Sequence, residues 1–263
     1  MKNNLIDSFK DNIGIEKLFE IFLRENIKIF LVGGCIRNAL LNISVKDIDF
    51  AVACSPKKII SIILKNKLNY NDFAIKYGSI QVIINKEKYQ ITSLREDLNQ
   101  TGRHTDVRYT ESLKKDALRR DFTINSIYLS PEGKLYDFFN GYTDILNSKV
   151  RFIGNVKTRV REDYLRIFRY YRFLGCFQKI KLIPGYKKII DKEILNIKHK
   201  LNNDIIRLEI IKMLKNVYPQ NSFIDTKRPY QKNNLVKEVI KLWNQRNYKL
   251  GNKCLKEIYK FFD

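Results

Sequence analysis

Acidic residues are scarce in this chain. Against 50 Lys and Arg stand 28 Asp and Glu, a formal net charge of +22 over 263 residues. An excess of that size goes beyond what solubility needs. It favours a polyanionic partner, nucleic acid first and an anionic membrane surface second. A composition imposed by an AT-rich genome explains Lys in place of Arg, but not the shortage of acids. Sulfur and imidazole are sparse too. The cysteines Cys35, Cys54, Cys176 and Cys254 include no CxxC pair, and His104 and His199 complete the histidines. That argues against a structural zinc site and suits reduced thiols. The start, MKNNLIDSFKDNIG, carries acids and lacks the apolar centre of a signal peptide. No apolar run reaches the length of a membrane span. Hydrophobic residues make up 44% of the chain, enough for a packed core. The expectation is a soluble, cytoplasmic, nucleic-acid-binding protein with no membrane association and no protein partner evident.

The stretch 29–54, IFLVGGCIRNALLNISVKDIDFAVAC, carries the densest chemistry. It reads as strand, glycine turn, short helix, turn, strand. Gly33-Gly34 after an apolar strand lets backbone N–H groups approach an anion closely. Arg37 follows within a helical turn and adds a fixed positive fork. Asp47 and Asp49 fall at i and i+2 of a strand, so they project to one face while Ile48 and Phe50 face the other. Paired carboxylates repel unless a cation neutralises them, and Mg²⁺ held by carboxylates plus substrate phosphates is the usual answer. A Gly-Gly is also an ordinary turn, and an Asp-x-Asp is also an ordinary solvated loop. The order of the pieces, Gly-Gly-x-x-Arg and then Asp-x-Asp about ten residues later, resembles the nucleotidyltransferase superfamily, whose members transfer a nucleoside monophosphate from a nucleoside triphosphate.

Elsewhere the pattern predicts a helix over Ile15–Glu25 with Leu18, Phe19, Phe22 and Leu23 on one face. A second helix begins at Ser55-Pro56 and runs to about Lys65. Residues 66–72 read as polar loop, Phe73–Lys76 and Ile80–Asn85 as strands, 85–88 as a hairpin turn and Tyr89–Leu94 as the returning strand. Pro131-Glu132-Gly133 and Asn140-Gly141 mark turns. The first half of 95–121 lacks apolar periodicity and reads as a mobile loop over the site, with Gly102, Arg103 and His104 as solvated residues. Its second half ends in Arg119-Arg120-Asp121, which can grip a triphosphate and ribose or form a surface ion-pair cluster.

From Val150 the periodicity changes. Arg159–Gln178 reads as one helix, with Asp163, Arg166, Arg169 and Arg172 recurring at i, i+3. Asp163 and Arg166 would then present a carboxylate and a guanidinium together to a base edge, or form an exposed ion pair. Three stacked arginines call for something anionic facing them. Residues 185–215 read as helical with a break at Asn202-Asn203. The tail from Tyr230 offers Lys-rich helices with Trp243, Tyr248 and Tyr259, suited to an RNA-facing surface or to a solvated bundle.

The segments LVGGCIRNALLNISVKDIDF, KYGSIQVIINKEKYQITSLRED, TGRHTDVRYTESLKKDALRRDFTINSIY, LYDFFNGYTDILNSKVRFIG and RVREDYLRIFRYYRF occur in this order. Together they resemble the class II tRNA nucleotidyltransferases, the CCA-adding enzymes, and their bacterial poly(A) polymerase relatives. The wording of TGRHTDVRYT and EDYLR is similar to the alphaproteobacterial and mitochondrial type. The resemblance runs from about Ile29 to Leu214. It implies an α+β fold, with a polymerase-β-like mixed sheet and helices followed by an all-helical neck and truncated body. The implied division is a catalytic head over 1–150, a nucleotide-selecting neck over 151–220 and a short body remnant over 221–263. It implies metal-binding, catalytic Asp47 and Asp49 with Mg²⁺. Nucleotide contacts would come from Gly33, Gly34, Arg37, Arg120 and Asp121, and base selection from Asp163 and Arg166 beside Arg169 and Arg172. The implied substrates are tRNA, CTP and ATP. The 3′-hydroxyl would attack the α-phosphate in line, with pyrophosphate leaving.

Three positions depart from the family pattern. Asn38 stands where an Asp is common, and Gln90 replaces an acid on the returning strand. Asp204-Ile205-Ile206 replaces a Glu-Arg-Ile, although Glu209 keeps the downstream acid. Relatives also continue beyond Asp263, so a fragment or a reduced enzyme is expected. Poly(A), CC-only or A-only addition, and a decayed RNA-binding protein, are the alternative functions.

Overall fold

A computed structural model describes residues 5–101, 104–194 and 201–224, together with Lys241, Gln245, Lys249 and Lys253. The chain divides into two compact units, Met1–Leu146 and Asn147–Asp263.

In the first unit, a turn of 3-10 helix at Ile6–Phe9 leads into α1, Ile13–Arg24. The Asn12 side chain caps α1 by accepting from the Ile15 N–H. Its inner face is Ile15, Leu18, Phe19 and Phe22, at i, i+3, i+4 and i+7. Leu23 does not join it. It lies one step past Phe22 and is 45% exposed. Then come β1 (Ile29–Val32), α2 (Gly34–Leu40), β2 (Ile48–Val52) and α3 (Pro56–Lys65). Ser55 caps α3, with Pro56 in the first turn, where a missing N–H costs nothing. The remaining elements are β3 (Asn69–Asn71), β4 (Ser79–Ile84), β5 (Glu87–Ser93), β6 (Arg95–Thr101), β7 (His104–Tyr109), α4 (Leu113–Arg119), β8 (Ile127–Leu129), β9 (Leu135–Asp137) and α5 (Gly141–Leu146).

Seven strands form one mixed sheet in the order β3-β4-β5-β2-β1-β8-β9. Only β2 and β5 run parallel within it. The β4–β5 turn has Asn85 and Lys86 at φ of 51° and 68°, the left-handed pair whose twist suits a two-residue hairpin. The sheet and its helices make the α+β head anticipated from the sequence.

Three local expectations need correction. The polar stretch 66–72 contains an edge strand, β3, which pairs through its backbone with β4. Phe73–Lys76 is not a strand. Ile75–Tyr77 is a 3-10 turn ended by Gly78 at φ 74°, which reverses the chain into β4. The supposed mobile loop is a two-stranded antiparallel sheet, β6 with β7, in which Glu96 faces Arg108. Charged residues on both strands hide it from any periodicity search. Gly102 and Arg103 lie outside the described residues.

The second unit is helical: α6 (Val156–Glu162), α7 (Leu165–Leu174), α8 (Tyr186–Glu193), α9 (Asn203–Leu214) and α10 (Pro219–Ser222). The single helix expected over Arg159–Gln178 is two helices. Asp163 breaks it in an extended conformation, φ −153° and ψ 106°. Its Oδ1 accepts from the Leu165 N–H at 3.0 Å, a local bond that competes with the helical ladder. Helix α7 is buried on nearly every side by Ile167, Phe168, Tyr170, Tyr171, Phe173 and Leu174, and it packs on α9. The Asn202 side chain caps α9. Trp243, Tyr248 and Tyr259 lie outside the described residues. Among the described residues, no helix is long and apolar enough to cross a membrane.

Candidate active site

Strand β1 is apolar throughout and ends at Gly33, whose φ of 80° and ψ of −123° suit glycine and little else. Helix α2 starts at once, and the Arg37 N–H donates to the Gly33 carbonyl. A Cβ built on Gly33 would lie 3.5 Å from Arg120 Nη1 and 3.6 Å from the Asn125 carbonyl. The turn therefore abuts the Arg120 side chain. One turn into α2, the buried Arg37 donates from Nη1 to Asn125 Oδ1 at 2.5 Å. Its Nε and Nη2 both donate to Asn38 Oδ1, at 3.2 and 2.9 Å. Asn38, the residue that departs from the family pattern, thus still holds the guanidinium as an Asp would, without the charge. Asn125 also donates to Asp121 Oδ1 at 3.4 Å, and Asp121 Oδ1 accepts the Phe122 N–H. Asn125 therefore links Arg37 to Asp121, a role that nothing in its sequence position signals.

Asp49 lies on β2, flanked by the buried Ile48 and Phe50. Asp47 lies just before the strand and is exposed, so the two carboxylates are not both strand residues. They still sense each other. Burial pushes the Asp49 carboxyl up, Arg120 and Arg37 pull it down, Asp47 adds to the rise, and the net direction is upward. Gln90 is the register partner of Asp49 across the parallel β2–β5 pair. Its amide donates to Ser79 Oγ at 2.5 Å, and Ser79 Oγ shares a 2.6 Å hydrogen bond with Thr92 Oγ1. Among the described residues no group of three or more His, Cys, Asp or Glu is placed to hold a metal. Two hard carboxylate donors, one of them pushed toward its protonated form mainly by burial, nevertheless fit a hard divalent cation that keeps water and phosphate in its remaining positions.

For Arg119 and Arg120 the sequence left a triphosphate grip and an ion-pair cluster open. Both arginines pair with Asp116, which is 1% exposed. Asp116 Oδ1 accepts from Arg119 Nε at 2.9 Å and from the Arg95 N–H at 3.1 Å. Asp116 Oδ2 accepts from Arg120 Nε and Nη2 at 3.2 and 3.1 Å, and from the Tyr128 hydroxyl at 2.6 Å. Burial pushes this carboxyl up, but Arg120 and then Arg119 outweigh it and hold it at about 2. Asp116 went unnoticed in the sequence, although its spacing from both arginines, i to i+3 and i+4, was a usable signal.

In the second unit, Asp163 and Arg166 do not share one helical face, because Asp163 lies in the break before α7. Arg166 is 5% exposed. Its Nη1 donates to Glu162 Oε2 at 2.5 Å and to the Arg159 carbonyl at 2.8 Å. Arg159 meets the same Glu162 oxygen at 2.6 Å. Arg172 pairs with the buried Glu209. The guanidinium carbons of Arg169 and Arg172 lie 5.4 and 4.2 Å from the Phe173 ring centroid. The expected external anion is therefore supplied in part from within: Glu162 and Glu209 face Arg166 and Arg172.

Residues 29–151 match the family model described as the Poly A polymerase head domain. Over 163 residues, 62% of the chain, it is 42% identical to "CCA tRNA nucleotidyltransferase 1, mitochondrial" of Homo sapiens, covering 38% of that protein. Over 195 residues, 73% of the chain, it is 34% identical to the "CCA-adding enzyme" of Leuconostoc citreum, covering 47% of it. The chain thus spans less than half the length of these curated relatives. Its fold is similar to that of the Bacillus stearothermophilus CCA-adding enzyme solved with CTP, with a TM-score of 0.72 at 24% identity over 86% of this chain and 55% of that one. A tRNA nucleotidyltransferase solved with a primer tRNA and an incoming ATP analog gives a TM-score of 0.65 at 24% identity, over 85% of this chain and 65% of that one.

Proposed function

We propose that this chain is a template-independent RNA nucleotidyltransferase that adds C, C and A to tRNA 3′ ends from CTP and ATP, a reading supported by the match of residues 29–151 to the Poly A polymerase head domain family. The observation that carries the reading is the convergence around Asp49. The Gly33 turn abuts Arg120, and the charges of Arg120 and Arg37 both act on a desolvated carboxylate.

In this reading the Gly33-Gly34 backbone and the fixed guanidinium groups of Arg37 and Arg120 receive the triphosphate. Asp121, tied to Arg37 through Asn125, helps align the nucleotide. The tRNA 3′-hydroxyl oxygen bonds to the α-phosphorus. The bond from that phosphorus to the bridging oxygen breaks, pyrophosphate leaves, and the hydroxyl proton passes to solvent. Nucleotidyltransferases of this family generally use a divalent metal. Asp47 and Asp49 would hold it, as Mg²⁺, where it supplies charge stabilisation to the phosphoryl oxygens. Asp163, Arg166, Arg169 and Arg172 select the base, so residues 1–150 transfer the nucleotide and 151–220 choose it. The Lys-rich 221–263 contacts RNA phosphates. The similarity of the chain to tRNA-processing relatives supports the choice of tRNA. We place the activity in the cytoplasm, a reading supported by the similarity to bacterial CCA-adding enzymes.

The test uses tRNA transcripts ending before CCA, after C and after CC, with labelled CTP or ATP and Mg²⁺, and Asp49→Asn as the control. Ordered incorporation of C, C and A that vanishes in the control is expected. No incorporation on any transcript overturns the reading, and long ATP-only products replace it with poly(A) synthesis.

A further inference from the structure

Arg120 has a structural difficulty. It lies just past the last turn of α4, with its backbone extended at φ −68° and ψ 160°. No helical ladder orients its side chain, yet that side chain must face the glycine turn. The structure solves this with a clamp. Asp116 Oδ2 takes the Nε–Nη2 edge of the guanidinium, two donors converging on one oxygen, which fixes where that edge sits. Tyr128 completes it. Its hydroxyl donates to Asp116 Oδ2 and accepts from Arg120 Nε at 3.1 Å, while the Arg120 guanidinium carbon lies 5.2 Å from the centroid of its ring. With that edge held, Nη1 lies beside the Gly33 turn and donates to the Asn125 carbonyl at 3.4 Å.

The clamp is anchored on both sides. Tyr128 belongs to β8, and its ring is buried in the sheet core with Phe30, Val32 and Ala51. Asp116 Oδ1 accepts the N–H of Arg95, the first residue of the β6–β7 hairpin. One carboxylate therefore ties the arginine, the sheet and the hairpin base together.

We propose that Asp116, completed by Tyr128, is a positioning residue for nucleotide binding: it aims Arg120 at the triphosphate held on the Gly33-Gly34 turn and couples that aim to the hairpin base. This rests on the nucleotidyl-transfer reading above. Neither side chain touches substrate. Each acts through Arg120.

The experiment compares wild type, Asp116→Asn, Tyr128→Phe, Arg120→Ala and the double variant Asp116→Asn/Arg120→Ala. Steady-state incorporation gives KM for CTP, ATP and tRNA, a fluorescent ATP analogue gives a binding constant without turnover, and circular dichroism reports folding. A charge-assisted contact of this kind predicts a rise of roughly 10- to 100-fold in nucleotide KM and Kd for Asp116→Asn, with tRNA KM within about twofold. The same substitution placed on Arg120→Ala should add little, because the residue it aims is gone. Unchanged nucleotide KM and Kd in folded Asp116→Asn overturn the proposal, as does an equal loss in the Arg120→Ala background, the mark of a merely structural role. Should Asp116→Asn fail to fold, Tyr128→Phe carries the test. A weakening of about 2- to 10-fold that depends on Arg120 supports the clamp, and none opposes it. A wild type that binds the analogue but transfers nothing overturns the function and leaves the binding arm to decide the clamp.

Discussion

The guanidinium of Arg172 on α7 lies 2.7 Å from the carboxylate of Glu209 on α9. Glu209 is 3% exposed and also receives Lys212 at 3.1 Å. This pair joins two helices that pack on each other. It also gives Arg172, a candidate nucleotide contact, an internal partner.

Removing one side of such a pair strands the other charge. Glu209→Ala is expected to destabilise the helical unit by about 3 kcal/mol, and Arg172→Met with Glu209→Leu by much less. Urea unfolding of the three proteins checks it, and equal losses in the single and double variants would count against the pairing.

Asp163 and Arg166 separate under substitution. Asp163→Ala removes a single local hydrogen bond, so stability should fall by about 1 kcal/mol or less while CTP/ATP choice blurs. Arg166→Ala removes the buried partner of Glu162 and should cost about 2–3 kcal/mol. Melting curves alongside CTP and ATP incorporation distinguish them, and unchanged selectivity in Asp163→Ala would remove it from base choice.

Gly33→Ala adds a side chain where φ is 80° and brings a methyl group into contact with Arg120 Nη1 at 3.5 Å. The left-handed backbone alone costs about 1–2 kcal/mol. Lower stability and weaker nucleotide binding are both expected. Gly34→Ala, at an ordinary helical φ, should keep the stability, and this contrast in urea midpoints isolates the backbone contribution.

Asp116 gives a pH signature. Its carboxyl is held at about 2 in the folded chain, against 3.8 for an ordinary Asp. A depressed folded value means that the unfolded chain takes up protons first as pH falls. The contribution, on the order of 2 kcal/mol, is therefore complete above about pH 5 and is lost as pH falls through 4 toward 2. The stability difference between wild type and Asp116→Asn should shrink over that window. A difference independent of pH from 6 to 2.5 would mean that the charge is not what Asp116 contributes.

Local chemistry made much of the head legible. Ser55-Pro56 opens a helix because the Ser55 side chain reaches a free N–H of the first turn. Asn85-Lys86 turns a hairpin between two apolar strands, and the glycine after β1 marks the tight turn. Strands β3, β6 and β7 escaped because they are polar and paired through backbone bonds, which leave no hydrophobic rhythm. Asp163 looked helical because the apolar rhythm continues across it, while a two-residue side-chain bond breaks the backbone.

By itself the sequence determined the order of the pieces: a glycine turn, an arginine one turn later, two aspartates on or beside a strand, and a second arginine-rich helical region. Those are matters of residue type and short spacing. Tertiary structure decided who restrains whom. Arg120 is oriented by Asp116 and by Tyr128, eight residues away and in the sheet. Arg37 reaches Asp121 through Asn125, and Arg172 meets Glu209 from another helix. A guanidinium is a donor fork with no preferred partner of its own. Which acid it finds depends on which elements the fold packs together, and burial then makes that choice energetically firm.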